Sequence, residues 1–275
     1  AVLADGAERD LRAIVEEAAN AKAAAGSDQQ LIGDFYRSYM DEARVERLGL
    51  APLQPELDRI AAIRDRGQLL AYLAAAQLNQ VGNPIGASVF ADAKNPEVNT
   101  LWLFQAGFGL PERDYYFSSE KRFEEIRAAY VKHIENVFKL AGHKDAAAAA
   151  QRVMAFETKL AEASWPAVKL REIEKLYNPV TVADAEKATP GIEWSKWLAG
   201  MGLGRTQQFV LAQPDYFKAV GAAVQDAPLE TWRDYLTLRT IDSFSPYLSS
   251  AFVNEHFDFY SRTLTGTPEL KPRWK

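Results

Sequence analysis

Three histidines are the first candidates for chemistry: His133 in "YVKHIENVF", His143 in "AGHKD" and His256 in "NEHFDF". A zinc site needs three or four converging protein ligands, and the helical HExxH pair supplies two of them one turn apart. No histidine in this sequence has a second one four residues on, and HExxH does not occur. Each is read as a structural or surface residue. Nucleophilic serine chemistry lacks its GxSxG elbow. The phosphate-cradling GxGxxG and GxxxxGK[ST] loops are missing as well.

Adjacent carboxylates are frequent, as at Glu16–Glu17, Asp41–Glu42 and Glu124–Glu125. General acid and base work needs two such groups converging in a cleft with split proton affinities. These pairs fall on polar helix faces and read as solvated surface. The most unusual polar stretch is "GLPERDYY", which follows the apolar run "LWLFQA". Arg113 and Asp114 could support catalysis there. The structural reading weighs more. It has Arg113 bonded to backbone carbonyls or a carboxylate, Asp114 capping the next helix, and Tyr115–Tyr116 filling a packing surface. No catalytic residue and no metal ligand is assigned, and the substrate-binding residues stay unknown.

The 275 residues suffice for one large domain or two modest ones with a sizeable core. Hydrophobic residues at 48% and charged residues at 25% are ordinary for a globular chain. The net charge of -5 comes from interleaved signs with no basic stripe, which argues against nucleic acid as a partner. There is no cysteine, so disulfides, thiolate chemistry and cysteine-bound metals are excluded. No apolar run approaches the ~20 residues of a membrane span. The chain opens "AVLADGAERD" without a leader pattern and stops at "KPRWK"; both ends read as cut from something longer.

Most of the sequence has helical periodicity. Ala7, Leu11, Ile14, Val15 and Ala18 make one stripe, and Ile32, Phe35, Tyr36 and Tyr39 the next. Ser27 with Gln30 has the spacing of a capping box. Further helices are predicted over Gln68–Gln80, from about Ser119 through Val137, from an Asp145 cap through Leu160, over Leu229–Ser243, and from Pro246 to about Leu264. The period changes to strands at Ala87–Asp92 and Asn99–Gln105, with the Asn95–Pro96 turn signal between them, so one β-hairpin is expected. The six tryptophans and eleven tyrosines follow the apolar stripes and read as core. The fold class is mainly α: a single multi-helix domain, 1–275, with one small hairpin.

Four segments in order, "IGDFYRSYMDEARVERLGLAPLQPELDRI", "GLPERDYYF", "YNPVTVADAEKATPGIEW" and "PYLSSAFVNEHFDFYSRTLTGTPELKPRWK", resemble the M13 family of zinc metallopeptidases, the neprilysin and PepO-like enzymes. The resemblance covers nearly the whole chain and has a bacterial flavour. It implies a two-lobed parent. One lobe binds zinc through HExxH and a downstream ExxxD, and the HExxH glutamate acts as general base toward zinc-bound water. An Asn-Ala-aromatic motif in that lobe holds the substrate backbone. The other lobe is a helical cap over a cavity that admits small peptides. This chain corresponds to the cap, so the resemblance transfers no catalytic or metal residue to it. Vertebrate relatives often carry cysteine where Tyr39 stands in "YRSYMDE", which implies one disulfide fewer here.

Two functions follow from these readings. The first is the non-catalytic cap lobe of an M13-like endopeptidase, inactive alone. Its partners are the zinc lobe of the same polypeptide and peptide substrates, and its parent is periplasmic, secreted or bound to the cell envelope. The alternative is a free-standing helical interaction or scaffold module without catalysis. A reading frame that continues past Lys275 into HExxH favours the first, and a stop codon there the second. A cap lobe is further expected to leave an apolar margin bare around Val2–Leu11 and Leu264–Trp274.

Overall fold

The computed structural model describes residues 2–274. Its helices and strands, in chain order, begin with α1 (Val2–Asn20), α2 (Asp28–Met40), α3 (Glu42–Leu48), α4 (Gln54–Ala61) and α5 (Arg66–Leu78). The hairpin strands β1 (Ile85–Ala91) and β2 (Asn99–Gln105) follow, then α6 (Asp114–Phe117), α7 (Lys121–Leu140), α8 (Ala146–Ala163) and α9 (Ile173–Leu176). The chain continues through β3 (Pro179–Thr181), α10 (Val182–Ala188), α11 (Trp194–Gly200), β4 (Gln208–Leu211), α12 (Pro214–Asp226) and α13 (Leu229–Phe244). It closes with α14 (Ser250–His256), which runs into a π-helical turn over Phe257–Thr263. The structure is mainly α, as the periodicity predicts.

Two compact units result: Ala1–Pro52 with Ser245–Lys275, and Leu53–Phe244. In the continuous unit, two largely buried helices form the centre. α5 buries Leu69, Leu70, Tyr72, Leu73, Ala74 and Ala76. α13 buries Trp232, Tyr235, Leu236, Leu238 and Ile241 together with two acids, Asp234 and Asp242. A charge is tolerated inside only when it is paired. Arg152 on α8 answers Asp234 at 2.7 Å, and His133 on α7 answers Asp242 at 3.1 Å. Trp194 anchors an aromatic cluster, with ring centroids 5.7 Å from Trp197, 5.5 Å from Phe209 and 5.6 Å from Phe217.

The expected hairpin is present, with Ile85 opposite Gln105 and Ala91 opposite Asn99. It belongs to a larger sheet than the hairpin alone. The strand order is β1-β2-β4-β3, with β4 parallel to β2 and antiparallel to β3. Of the two extra strands, β4 begins the stretch "QFVLAQPDYF", which reads as a short extended piece entering a helix at Pro214, whereas β3 has three residues, too short for an alternating pattern to announce it.

In the discontinuous unit, α2 is capped as the Ser27–Gln30 spacing predicts. The Gln30 backbone N–H donates to Ser27 Oγ at 3.3 Å. The return bond differs, because Gln30 Oε1 accepts from the Gly26 N–H at 2.5 Å and not from Ser27. Asp145 likewise holds the N-cap position of α8, but its side chain makes no capping bond. α1 and α2 approach most closely at Gly33, where a Cβ would lie 2.4 Å from the Ala18 carbonyl oxygen.

Replacing Gly33 by alanine therefore has two opposed effects. Helix propensity improves by about 1 kcal/mol, while overpacking costs ~1–3 kcal/mol. The contacted atoms, Ala18 O and C and Ala19 Cα, are all backbone and cannot rotate away, so Gly33→Ala is expected to lower the urea midpoint. A midpoint at or above that of the parent chain would show that α1 and α2 separate freely.

Candidate functional site

The histidines do not converge. His133 is buried and its Nε2 lies 3.1 Å from Asp242 Oδ1. His143 places Nε2 3.4 Å from Asp234 Oδ1 and its ring 5.1 Å from Phe138. His256 lies with its ring 4.6 Å from that of Tyr260. Among the described residues no three His, Asp or Glu side chains gather to hold a metal ion. The residues present do not fit a zinc site. The adjacent acid pairs lie on the outside. Glu16 pairs with Arg12 at 2.7 Å, and Asp41 caps α3 by accepting the Arg44 N–H at 3.0 Å.

The "GLPERDYY" loop is held in part as its sequence suggests, for Tyr116 is buried in the packing surface. Asp114 opens α6 as its first residue, and no side chain caps that helix. Arg113 rests 3.7 Å from Asp114 and 4.9 Å above the Phe117 ring. The loop is fixed from within by Glu157 on α8, which is wholly buried. Its carboxyl accepts three donors: the Tyr116 hydroxyl at 2.7 Å, the Gly109 N–H at 3.1 Å, and the Tyr130 hydroxyl at 3.0 Å. The Leu110 N–H donates in turn to the Tyr116 oxygen at 3.2 Å. Position 109 must be glycine, because a Cβ there would meet the Tyr130 oxygen at 1.7 Å. Two more tyrosines tie the same loop by donating to backbone oxygens, Tyr235 to Gly107 at 2.8 Å and Tyr216 to Ala106 at 2.8 Å.

Burial pushes the Glu157 carboxyl above its ordinary value. The charge of Arg239 opposes this most, followed by the bonds from Tyr116, Gly109 and Tyr130. Burial likewise raises the phenols of Tyr116, Tyr216 and Tyr235. The sequence reading passed over Glu157. A signal for it existed: Glu157 sits four residues after Val153 and three before Leu160, on an otherwise apolar stripe.

The second feature is a groove of about 690 Å³ in the discontinuous unit, lined by Leu11, Val15, Leu31, Ile32, Phe35 and Trp274. The stripes of α1 and α2 form as their spacing predicts, yet they are not buried. Leu11 is 62%, Leu31 59% and Phe35 69% exposed. The C-terminal residues close one end. Trp274 lies under the Arg12 guanidinium at 4.5 Å, and Arg273 covers Tyr39 at 4.3 Å while donating to the Tyr39 carbonyl at 2.6 Å. Leu3 and Leu270 are exposed as well.

Removing the Glu157 carboxyl strands its donors in a water-free site. Glu157→Ala is expected to destabilise the chain by about 3–5 kcal/mol, because three hydrogen-bonding groups lose their partner and a cavity is left. Thermal unfolding measures this, and a loss under 1 kcal/mol would show that the loop is held by its tyrosines alone.

Residues 1–275 match the profile of peptidase family M13. Endothelin-converting enzyme 1 of Rattus norvegicus is 24% identical over 270 residues, covering 93% of this chain and 35% of that protein. Endothelin-converting enzyme-like 1 of the same species is 28% identical over 251 residues, covering 82% and 31%. The chain thus spans about a third of the length of these relatives. Among solved structures, the zinc metalloprotease Zmp1 of Mycobacterium tuberculosis in complex with an inhibitor superposes with a TM-score of 0.93 at 36% identity. The match covers 98% of this chain and 42% of that one. PepO of Lactobacillus rhamnosis shares the fold with a TM-score of 0.79 at 19% identity, covering 99% and 43%.

Proposed function

Because this chain belongs to peptidase family M13, we propose that it forms the non-catalytic helical lobe of a longer zinc metalloendopeptidase. Both compact units belong to that one lobe, residues 1–275. The parent hydrolyses small peptides with zinc held in the lobe that this chain lacks, and the helical lobe covers the catalytic cavity and restricts substrate size. The chain alone holds no zinc and cleaves nothing. The parent works in the periplasm, as a secreted protein or at the cell envelope; among the described residues no helix is long and apolar enough to cross a membrane.

The observation that carries this reading is the uncovered apolar face of α1 and α2. Amphipathic helices gain most of their stability by burying that face. A self-sufficient scaffold module has no reason to leave Leu11, Leu31 and Phe35 in water together. A lobe whose partner is the zinc lobe of the same polypeptide does.

The test compares residues 1–275 with the full-length parent. Phe35→Asp is expected to change the isolated chain by ~0.5 kcal/mol or less, as an exposed site. It should destabilise the parent by about 2 kcal/mol, the worth of a buried aromatic side chain. The parent should hydrolyse a fluorogenic peptide and lose that activity to a chelator, while residues 1–275 show neither hydrolysis nor stoichiometric zinc after dialysis. Equal effects of Phe35→Asp in both proteins, or zinc retained by the short chain, would overturn the reading.

A further inference from the structure

Glu157 serves no step of the proposed function, yet it is wholly buried and its carboxyl meets three hydrogen-bonding partners. Its surroundings come from four other helices and one loop. Tyr116 on α6 and Tyr130 on α7 reach its oxygens, as does the Gly109 N–H. Arg239 and Tyr235 on α13 and Tyr216 on α12 act on it electrostatically. Arg239 is the one cation in this set, and the remaining titratable neighbours are phenols.

This set satisfies a neutral carboxyl without losing a partner. With its proton on Oε1, Glu157 donates to the Tyr130 oxygen 3.1 Å away. Oε2, as the carbonyl oxygen, still accepts from Tyr116 and from Gly109. The ionised form keeps the same donors but places a full charge in a wholly buried position, where the Arg239 charge opposes the cost. We propose that the Glu157 cluster is a structural proton-binding site, and that the protonated form is the one that fixes the loop from Ala106 to Leu110 between β2 and α6. The loop is then tighter in mild acid than at neutral pH. Burial acts in the same direction, since it raises the carboxyl above its ordinary 4.5. A carboxyl raised in the folded state contributes stability below 4.5, and that contribution is lost as pH rises through the folded-state value.

The experiment is equilibrium unfolding of the chain and of Glu157→Gln from pH 4.5 to pH 8. Glutamine carries no proton to lose, so the difference between the curves reports Glu157. The folding constant of the chain should fall relative to Glu157→Gln by up to about tenfold per pH unit over part of that range, the limit for one proton. Parallel curves would overturn the proposal. Should Glu157→Gln not fold, carbon-13 labelling of the glutamate carboxyls in the unaltered chain decides. One resonance that titrates well above the rest, and is displaced by Tyr116→Phe, supports the site. Carboxyls that all titrate together near the ordinary value overturn it.

Discussion

A carboxyl sealed away from water must be surrounded by donors, and this requirement at Glu157 organises the continuous unit. Each donor comes from a different part of the chain: Gly109 from the loop, Tyr116 from α6 and Tyr130 from α7. None of these elements can shift without stranding a hydrogen-bonding group that has no water to turn to. The loop is irregular, so its backbone groups have no ladder partners of their own. Tyr216 and Tyr235 supply the missing donors from α12 and α13. A short helix of four residues such as α6, marginal by itself, is thereby locked in place.

The discontinuous unit follows the opposite logic. Its helices are joined by close backbone approach at Gly33 and by cation–aromatic stacking at Arg12–Trp274 and Arg273–Tyr39. Its large aliphatic side chains face outward from the α1–α2 pair. The continuous unit has a large aromatic and aliphatic core of its own, whereas this one leaves Leu11, Leu31 and Phe35 uncovered. That contrast fits a lobe built to be completed by further protein.

Much of the architecture was legible because period is a strong signal. The stripe Ile126, Tyr130, Ile134, Val137 announced α7, and the change of period before Asn95–Pro96 announced the hairpin. Periodicity says which residues share a face, but it does not say whether that face is covered. Leu11 and Phe35 were placed on the right stripe and yet remain in solvent. In the loop, Tyr116 fills the packing surface as its sequence suggests, while Arg113 and Asp114 stay nearer the solvent. The residue that matters is Glu157, some forty positions later, because tertiary contacts choose partners without regard to sequence distance. The π-helical turn over Phe257–Thr263 left no mark in the pattern, since one wide turn shifts a stripe by less than the pattern's own scatter.

The unit built from both ends of the chain has a consequence for synthesis. Glu46 on α3 accepts bonds from Ser250, and Arg273 grips Tyr39, so α2 and α3 draw part of their partners from the C-terminal segment. Residues 53–244 intervene as a continuous run with its own core. A ribosome therefore releases α1 and α2 long before anything exists to complete them, while the middle segment already has all it needs to fold.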